Sequence, residues 1–343
     1  MPTRSVKASI IIVNWNGKAY LPDCLESLKS QTFRDFEAIL VDNGSSDGSL
    51  EFVGIHYPWV KTVALPANRG FAGGNNAGYP HASGDYIIAL NNDTEAESTW
   101  LEELVRVTDE NPAVGMVASR ICSYDDHDVI DSLGVKICSD GMSRGAFRLQ
   151  RFSDLALGKT EEILLPSACA ALYRRRMIET VGFFDEDFFA YCEDTDLGVR
   201  GRLAGWRAVL ARDAVVYHKY SQTRGAFSPF KLYLVERNHY WVAFKTYPFT
   251  WILALPVATL LRYLEQARVV LASRGMGQQF AVSNSKAAYI MALVRGVVDA
   301  LKMLPKMWAK RRTFAAIRRL GDQELGQLLR TYRLSFRELF DAS

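Results

Sequence analysis

The run Asp85-Tyr86-Ile87-Ile88-Ala89-Leu90 is short, apolar and rich in strand formers, and it stops abruptly in Asn91-Asn92-Asp93. It opens after Ser83-Gly84, residues with turn chemistry. A buried strand that ends in amides and a carboxylate delivers polar groups to one edge of a sheet. In open α/β sheets the carboxyl edge is where ligands bind. Asp93 offers a hard oxygen to a divalent cation, and hydrated Mg2+ or Mn2+ characteristically joins one or two carboxylates to a substrate's phosphates. The competing reading of the same residues is a polar turn in which Asn and Asp bond their own backbone.

The surrounding chain repeats the pattern. Ala8 to Trp15 is a β-branched run suited to a central buried strand. After Asn16-Gly17, residues Tyr20, Leu21, Cys24, Leu25 and Leu28 recur at helical spacing. Phe36 to Val41 reads as a second strand ending in Asp42-Asn43-Gly44, and Val60 to Leu65 as a third ending in Asn68-Arg69-Gly70. A helix from Trp100 to Thr108 and a fifth strand from Val114 to Ser119 follow the strand before Asn91. Strands alternating with helices predict βαβ units and a mostly parallel sheet. Asp42 reads as a nucleotide contact or as a cap for the next helix. The glycines between Gly70 and Gly78 read as a close backbone approach to a diphosphate at a helix N-terminus, or as flexible punctuation.

From Arg120 to Leu165 the periodicity is poor, which predicts loops and short antiparallel strands over a cleft. Pro166 to Tyr173 is a small-residue run suited to tight packing beneath a ligand, and Arg174-Arg175-Arg176 reads as a solvated helix start. Glu193, Asp194 and Asp196 then lead into Leu197, Val199 and Leu203, one helix with an acidic first turn. The macrodipole favours acids there for structural reasons alone. Yet a carboxylate beside Phe188, Phe189 and Tyr191 is partly desolvated, which raises its pKa toward that of a general base. Arg207 to Tyr217 forms a further strand carrying His218 at its end, either structural or a metal ligand.

At 343 residues the chain can bury one large domain or two. Its five cysteines are scattered without C-x-x-C spacing, so neither a zinc site nor a disulfide framework is expected, and reduced thiols in a cytosolic compartment are the simplest reading. Met1 to Lys7 is polar and reads as no signal peptide. The formal net charge of +3 conceals an asymmetry, because residues 261–343 carry 15 Lys and Arg against 6 Asp and Glu. A basic tail on an acidic body predicts an anionic partner for the tail.

In this order the motifs resemble those of family 2 glycosyltransferases with the GT-A nucleotide-sugar-binding fold. The resemblance covers Ser9 to about Lys245 and rests on Ile10 to Gly17, Val41 to Gly48, Asn68 to Gly78, Leu90 to Asp93 and Glu193 to Leu197. It implies a catalytic domain over residues 1–247 and a helical, basic region over 248–343. Asp42 would contact the nucleotide base within a donor pocket of Asn14, Asn16, Asn43, Asn68, Arg69, Gly70, Gly74, Asn75, Asn91 and Asn92. Asp93 and His218 would hold Mg2+ or Mn2+, and Asp194, beside Glu193, would be the catalytic base. Asn91 stands where the family often has an aspartate, which weakens the expected metal affinity. The Asn-Asn-Asp form, with Arg237-Asn238 further on, is similar to the rhamnosyltransferase-like branch.

The implied activity is inverting, metal-dependent transfer of a sugar such as rhamnose from a dTDP- or UDP-linked donor to a saccharide or lipid-linked acceptor in bacterial surface polysaccharide synthesis. A single carboxylate base suits one displacement at the anomeric carbon. The absence of a Gln-x-x-Arg-Trp motif favours single addition over polymerisation. A non-catalytic nucleotide-binding scaffold and a nucleotidyltransferase are the alternatives, and no nucleic-acid partner is expected.

Phe249 to Leu261 is uncharged but shorter than the roughly twenty residues a spanning helix needs, and Pro256 is expected to interrupt it. Lys286 to Arg312 places Ile290, Leu293, Val294, Val297, Val298, Leu301 and Leu304 on one face. That pattern predicts an interfacial helix on an anionic membrane, peripheral to the inner face of the plasma membrane, or a homo-oligomer contact.

Overall fold

Ile10 and Ile12 turn to one face of the central sheet and Ile11 to the other, and all three are fully buried. That is the signature of a parallel strand covered on both sides, and it accounts for a continuous apolar run rather than an alternating one. The computed structural model describes residues 6–219, 228–271 and 286–340.

One half of the sheet is wholly parallel, in the order β3 (Lys61–Ala64), β2 (Phe36–Asp42), β1 (Ala8–Asn14), β4 (Tyr86–Asn91). Beside β4, β11 (Ala170–Arg174) runs antiparallel and joins it to β6 (Val114–Ser123). Next comes β12 (Arg207–His218), parallel to β6, and then the short antiparallel β10 (Thr160–Glu162). Short β5 (Thr94–Ala96) pairs with the end of β12, setting Thr94 opposite His218. β7 (Ile130–Ser132) pairs with β6, and β8 (Val135–Ile137) forms a hairpin with β9 (Ser143–Gly145). The expected mostly parallel α/β sheet is therefore present, with short antiparallel strands between residues 120 and 165 as expected.

Helices α1 (Leu21–Lys29), α2 (Ser49–His56), α3 (Gly70–Gly78), α4 (Trp100–Glu110) and α5 (Arg175–Val181) flank the sheet. The glycine-rich run differs from expectation, because it is itself α3. A Cβ on Gly74 would meet Val13 Cγ1 at 2.6 Å and one on Gly78 would meet Ile11 Cγ2 at 2.7 Å, so these glycines let the helix lie directly on the sheet. The arginines after β11 are also more than a solvated helix start. Arg174 donates to the carbonyls of Thr108 and Val114, and Arg175 to those of Ala82 and Gly84, tying loops at the far end of the sheet.

Helix α6 (Glu193–Leu203) leads to α7 (Pro229–Thr246), α8 (Phe249–Leu271), α9 (Lys286–Lys302), α10 (Leu304–Ala315), α11 (Asp322–Thr331) and α12 (Phe336–Phe340). Val199, Leu203, Trp241, Tyr247, Ile252, Met307 and Leu325 share one core, so the C-terminal helices pack onto the helix that begins with the acidic motif. Two expectations are corrected here. Pro256 lies inside α8 without ending it, and the segment after Lys286 is two helices, with Pro305 in the first turn of α10. Helix α9 packs with its small residues Ala292, Gly296 and Ala300 inward, leaving Ile290, Met291, Val294, Val298 and Leu301 exposed. No helix among the described residues is long and apolar enough to cross a membrane.

Candidate active site

The carboxyl ends of β1 and β4, the loop before α6, His218 at the end of β12 and one face of α7 surround a cavity of about 620 Å3. It lies where ligands bind in open α/β sheets, outside the carboxyl ends of the strands. Asn91, Asn92 and Asp93 reach it because β4 ends there, and Asp194 reaches it because α6 starts there.

Asp93 and His218 are both buried and meet, with His218 Nε2 3.3 Å from Asp93 Oδ1. On its other side His218 Nδ1 is 2.7 Å from Asp131 Oδ2, and Asp131 Oδ1 pairs with Arg148 at 2.8 Å. Burial pushes the imidazole pKa down, but Cys169, Asp131 and Asp93 outweigh it and hold the pKa well above its ordinary value. Burial likewise raises Asp131, yet His218 and Arg148 bring its pKa below the ordinary carboxylate value. A hard carboxylate oxygen converging with an imidazole whose other nitrogen faces a carboxylate is a donor set that suits a hydrated divalent cation. Among the described residues no group of three or more His, Cys, Asp or Glu comes together as a metal-holding cluster. Two protein ligands completed by phosphate oxygens and water fit that count.

Asp194 keeps partial access to the cavity. Its Oδ2 accepts from the Ala168 amide at 3.2 Å, and its Oδ1 accepts from the Thr195 amide at 2.6 Å and the Thr195 hydroxyl at 3.2 Å. Burial raises its pKa, partly countered by these donors. Glu193 is 6% exposed, and its Oε2 has no hydrogen-bond partner among the described residues. Burial, and then the Asp194 charge, push Glu193 well above the ordinary carboxylate value. The two carboxyls are adjacent and share this burial, so ionisation of one disfavours ionisation of the other.

The approach to this pair is held in an unusual backbone. Phe189, Tyr191 and Cys192 all have positive φ, at 67°, 69° and 65°, in a region non-glycine residues seldom adopt. Asn238, fully buried on α7, donates from Nδ2 to the carbonyls of Phe188, Ala190 and Tyr191 at 3.0, 2.9 and 2.7 Å. Arg237 adds bonds to the carbonyls of Asp187 and Phe188. Asp196 is fully buried and pairs with Arg200 at 2.7 Å and Lys245 at 2.6 Å. Lys245 also holds Asp185 at 2.6 Å, and Lys310 of α10 pairs with Asp185 and Asp187.

Of the expected donor-pocket residues, Asn43, Asn68, Gly70, Asn91 and Asn92 line the cavity. Asn14, Asn16, Asp42, Arg69, Gly74 and Asn75 are not in its wall, and most are spent on internal bonds. Asn14 accepts from Asn92 at 2.7 Å and donates toward Asp42 and Ser45, and Asn16 Oδ1 accepts from the Ser46 amide at 2.7 Å. Asp42 Oδ2 accepts from the Ser45 amide, Asn75 donates to the Phe71 carbonyl, and Arg69 pairs with Glu186. Buried polar groups near a loop satisfy each other first, which sequence position alone does not reveal. Gly70 is needed for close approach, since a Cβ there would sit 2.2 Å from the Phe189 carbonyl oxygen. Asp131, Arg148, Lys231 and Trp15 also line the cavity and were not foreseen. Asp131 lies in the stretch of poor periodicity, where only its eventual pairing with His218 marks it out.

A parallel half-sheet with a reversed strand beside it and an acidic cleft at its carboxyl edge fits the architecture of a GT-A glycosyltransferase. The family model for glycosyl transferase family 2 matches residues 9–182, and the chain belongs to that family. It is a glycosyltransferase, and the names of two relatives support the rhamnosyltransferase-like branch. It is 30% identical over 253 residues to the O-antigen biosynthesis protein RfbC of Myxococcus xanthus, covering 70% of this chain but 19% of that protein. It is 27% identical over 237 residues to an N-acetylglucosaminyl-diphospho-decaprenol L-rhamnosyltransferase of Mycobacterium tuberculosis, covering 63% and 77% of the two chains. Among solved structures, GalNAc-T7 with UDP, GalNAc and Mn2+ matches with a TM-score of 0.56 at 17% identity, covering 70% of this chain and 48% of that one. TarS of S. aureus, residues 1–349, matches with a TM-score of 0.53 at 17% identity over 95% and 91% of the chains. These likenesses concern the fold.

Proposed function

We propose that this chain transfers a deoxyhexose such as rhamnose, with inversion, from a dTDP- or UDP-linked donor to a saccharide or lipid-linked saccharide during bacterial surface polysaccharide synthesis. The observation that carries this reading is a single cavity holding two unlike acidic centres. One is Asp194, a carboxylate with a raised pKa and partial access to the cavity; the other is Asp93, drawn against His218. The first suits removal of a proton from an acceptor hydroxyl, and the second suits the charge of a diphosphate leaving group. The names of the two relatives above support the sugar and the acceptor class.

In this reading the acceptor hydroxyl lies against Asp194 and loses its proton to that carboxylate as its oxygen attacks the anomeric carbon. Ala168 and Thr195 hold the carboxylate through three hydrogen bonds, so little reorganisation is needed at the moment of attack. Burial, and then the Asp194 charge, disfavour ionisation of Glu193, which favours the negative charge on Asp194. Asp93 and His218 would hold Mg2+ or Mn2+, with Asp131 fixing the imidazole. A divalent cation there supplies Lewis-acid stabilisation of the departing diphosphate. The strand ends bearing Asn43, Asn68 and Asn92 would take the nucleotide.

We place the enzyme at the inner face of the plasma membrane, bound peripherally through α8 and α9. The decisive assay incubates the full chain with a panel of nucleotide sugars and reads release of nucleoside diphosphate, with and without chelator. Hydrolysis of dTDP-rhamnose above the other donors, lost in chelator and restored by Mg2+ or Mn2+, is the expected result. Equal inactivity toward every donor would remove the reading.

A further inference from the structure

The cavity does not end at Asp194. It continues along one face of α7, past Ser228, Leu232, Val235 and Glu236, to a second wall formed by Arg262 and Gln266 of α8. Most of this end is apolar, which makes its polar floor conspicuous. Glu236 is 1% exposed. Its Oε1 takes bonds from Arg262 at 2.7 Å and Tyr263 at 2.6 Å, and Arg262 is held in turn by Asp140 at 2.6 Å. Among the described residues its Oε2 has no hydrogen-bond partner, and neither has the buried Oε1 of Gln266. Leaving a buried charged acceptor unpaired costs free energy, and such atoms usually have a partner.

We propose that Glu236 and Gln266 form a recognition subsite for the acceptor sugar, in which they accept hydrogen bonds from its ring hydroxyls. The proposal rests on the glycosyltransferase reading above and adds to it where the acceptor is read. Both unpartnered atoms are acceptors, so a group that reaches them must bring donors. A carboxylate or a phosphodiester brings none and would be repelled by the carboxylate. A sugar brings several, and its apolar ring faces suit the Leu232 and Val235 side of the cavity. Burial pushes the Glu236 carboxyl up, but His239, Arg262 and Tyr263 bring its pKa down to about 2, so it acts as a charged acceptor. Arg262, Tyr263 and His239 Nε2, the last at 3.4 Å, all lie against Oε1 and fix the carboxylate's orientation before any ligand arrives.

The test is calorimetric titration of octyl glycosides of glucose, galactose, mannose, N-acetylglucosamine and rhamnose, below micelle concentration, into the full chain with UDP present. Monodeoxy analogues of each glycoside that binds are then compared with the parent. The expected result is that at least one glycoside binds and that one deoxy analogue binds it roughly 10- to 100-fold more weakly, the range for a hydrogen bond to a charged group. In Glu236→Gln that gap between parent and analogue closes. Because this change also weakens the Arg262 pair, Gln266→Met, which leaves the ion pairs intact, is measured beside it and should narrow a gap at a hydroxyl. A purely structural role would lower thermal stability while leaving the discrimination as in the native chain. Persistence of the gap in both variants, or failure of every glycoside to bind, overturns the proposal. Discrimination tied to Glu236 in a chain that hydrolyses no nucleotide sugar would uphold the subsite and sink the donor reading instead.

Discussion

Asn238 Nδ2 lies 2.7 Å from the carbonyl oxygen of Tyr191, a residue held at a φ of 69° two positions before Glu193. The same amide reaches the carbonyls of Phe188 and Ala190, so one side chain spans the whole strained approach to the acidic pair. Strain of this kind persists only where its surroundings over-determine it.

Asn238→Ala should therefore act through geometry. Without the amide the 188–192 backbone relaxes and carries Asp194 away from the acceptor hydroxyl. A misplacement of about 1 Å can lower turnover roughly 100-fold. The expected outcome is a fall of that order in kcat with UDP affinity nearly retained. Steady-state kinetics together with UDP titration decide the matter. Equal losses in both would mean that the whole cleft has collapsed.

Asp194→Asn should lower turnover about 10²- to 10⁴-fold if Asp194 is the base, since the amide cannot accept the proton. The acid limb of the native pH profile should lie above the ordinary carboxylate value, because burial raises this group. Glu193 makes a separate prediction about stability. Its folded pKa lies above its unfolded one, so between the two values the native state binds more protons than the unfolded chain. Stability from this group consequently falls as pH rises through that window and stays reduced above it. Glu193→Gln should raise the melting temperature at neutral pH, with the advantage fading below the ordinary carboxylate range. A melting series from pH 4 to pH 8 showing a constant difference would contradict the assignment.

Asp131→Asn addresses the metal reading through a residue that need not touch the ion. The change removes the carboxylate that faces His218 Nδ1, and loss of such an outer partner typically costs about 10- to 100-fold in metal affinity. Direct titration of Mn2+ into the full chain with UDP present should show that loss, and activity should recover at higher Mn2+. Unaltered affinity would leave Asp131 as a structural partner only. Full native activity in excess chelator would remove the metal role of Asp93 and His218 together.

Much of the fold was legible because burial on both faces of a parallel strand leaves an unmistakable apolar run, as in Ala8 to Asn14. Asp93, Asp194 and His218 were legible because strand and helix ends deliver polar residues to one rim. The internal bonds of the donor-side asparagines were not legible. Asn14, Asn16 and Asn75 look like ligands in a string of letters, yet each satisfies a neighbouring amide, hydroxyl or carbonyl. Asp131 and Glu236 were missed for the opposite reason. Their meaning comes from partners 87 and 26 residues away, His218 and Arg262, and no local pattern encodes such pairings. Pro256 misled because a missing amide costs one bond within a helix that Ile252, Leu255 and Arg262 anchor on the protein body.

The membrane reading makes the last prediction. Helix α8 exposes Leu253, Val257, Leu260, Leu261 and Leu264, and α9 exposes Ile290, Met291, Val294, Val298 and Leu301, each between 42% and 67% accessible. A helix normally turns such residues to the core, but α9 turns Ala292, Gly296 and Ala300 inward instead, with Gly296 close against Glu236. Arg268, Arg295 and Lys302 stand exposed on the same two helices. Basic residues near an anionic leaflet contribute about 1 kcal/mol each, a part that salt screens. Burial of the leucines adds a part that salt does not weaken. The full chain should therefore float with anionic liposomes, be released only in part by high salt, and be released fully by detergent. Leu253→Ser combined with Leu260→Ser should lower the salt-resistant fraction while turnover on a soluble acceptor persists. If these faces are buried between subunits instead, the native chain will sediment as an oligomer and ignore the liposomes, and the double variant will shift it toward monomer.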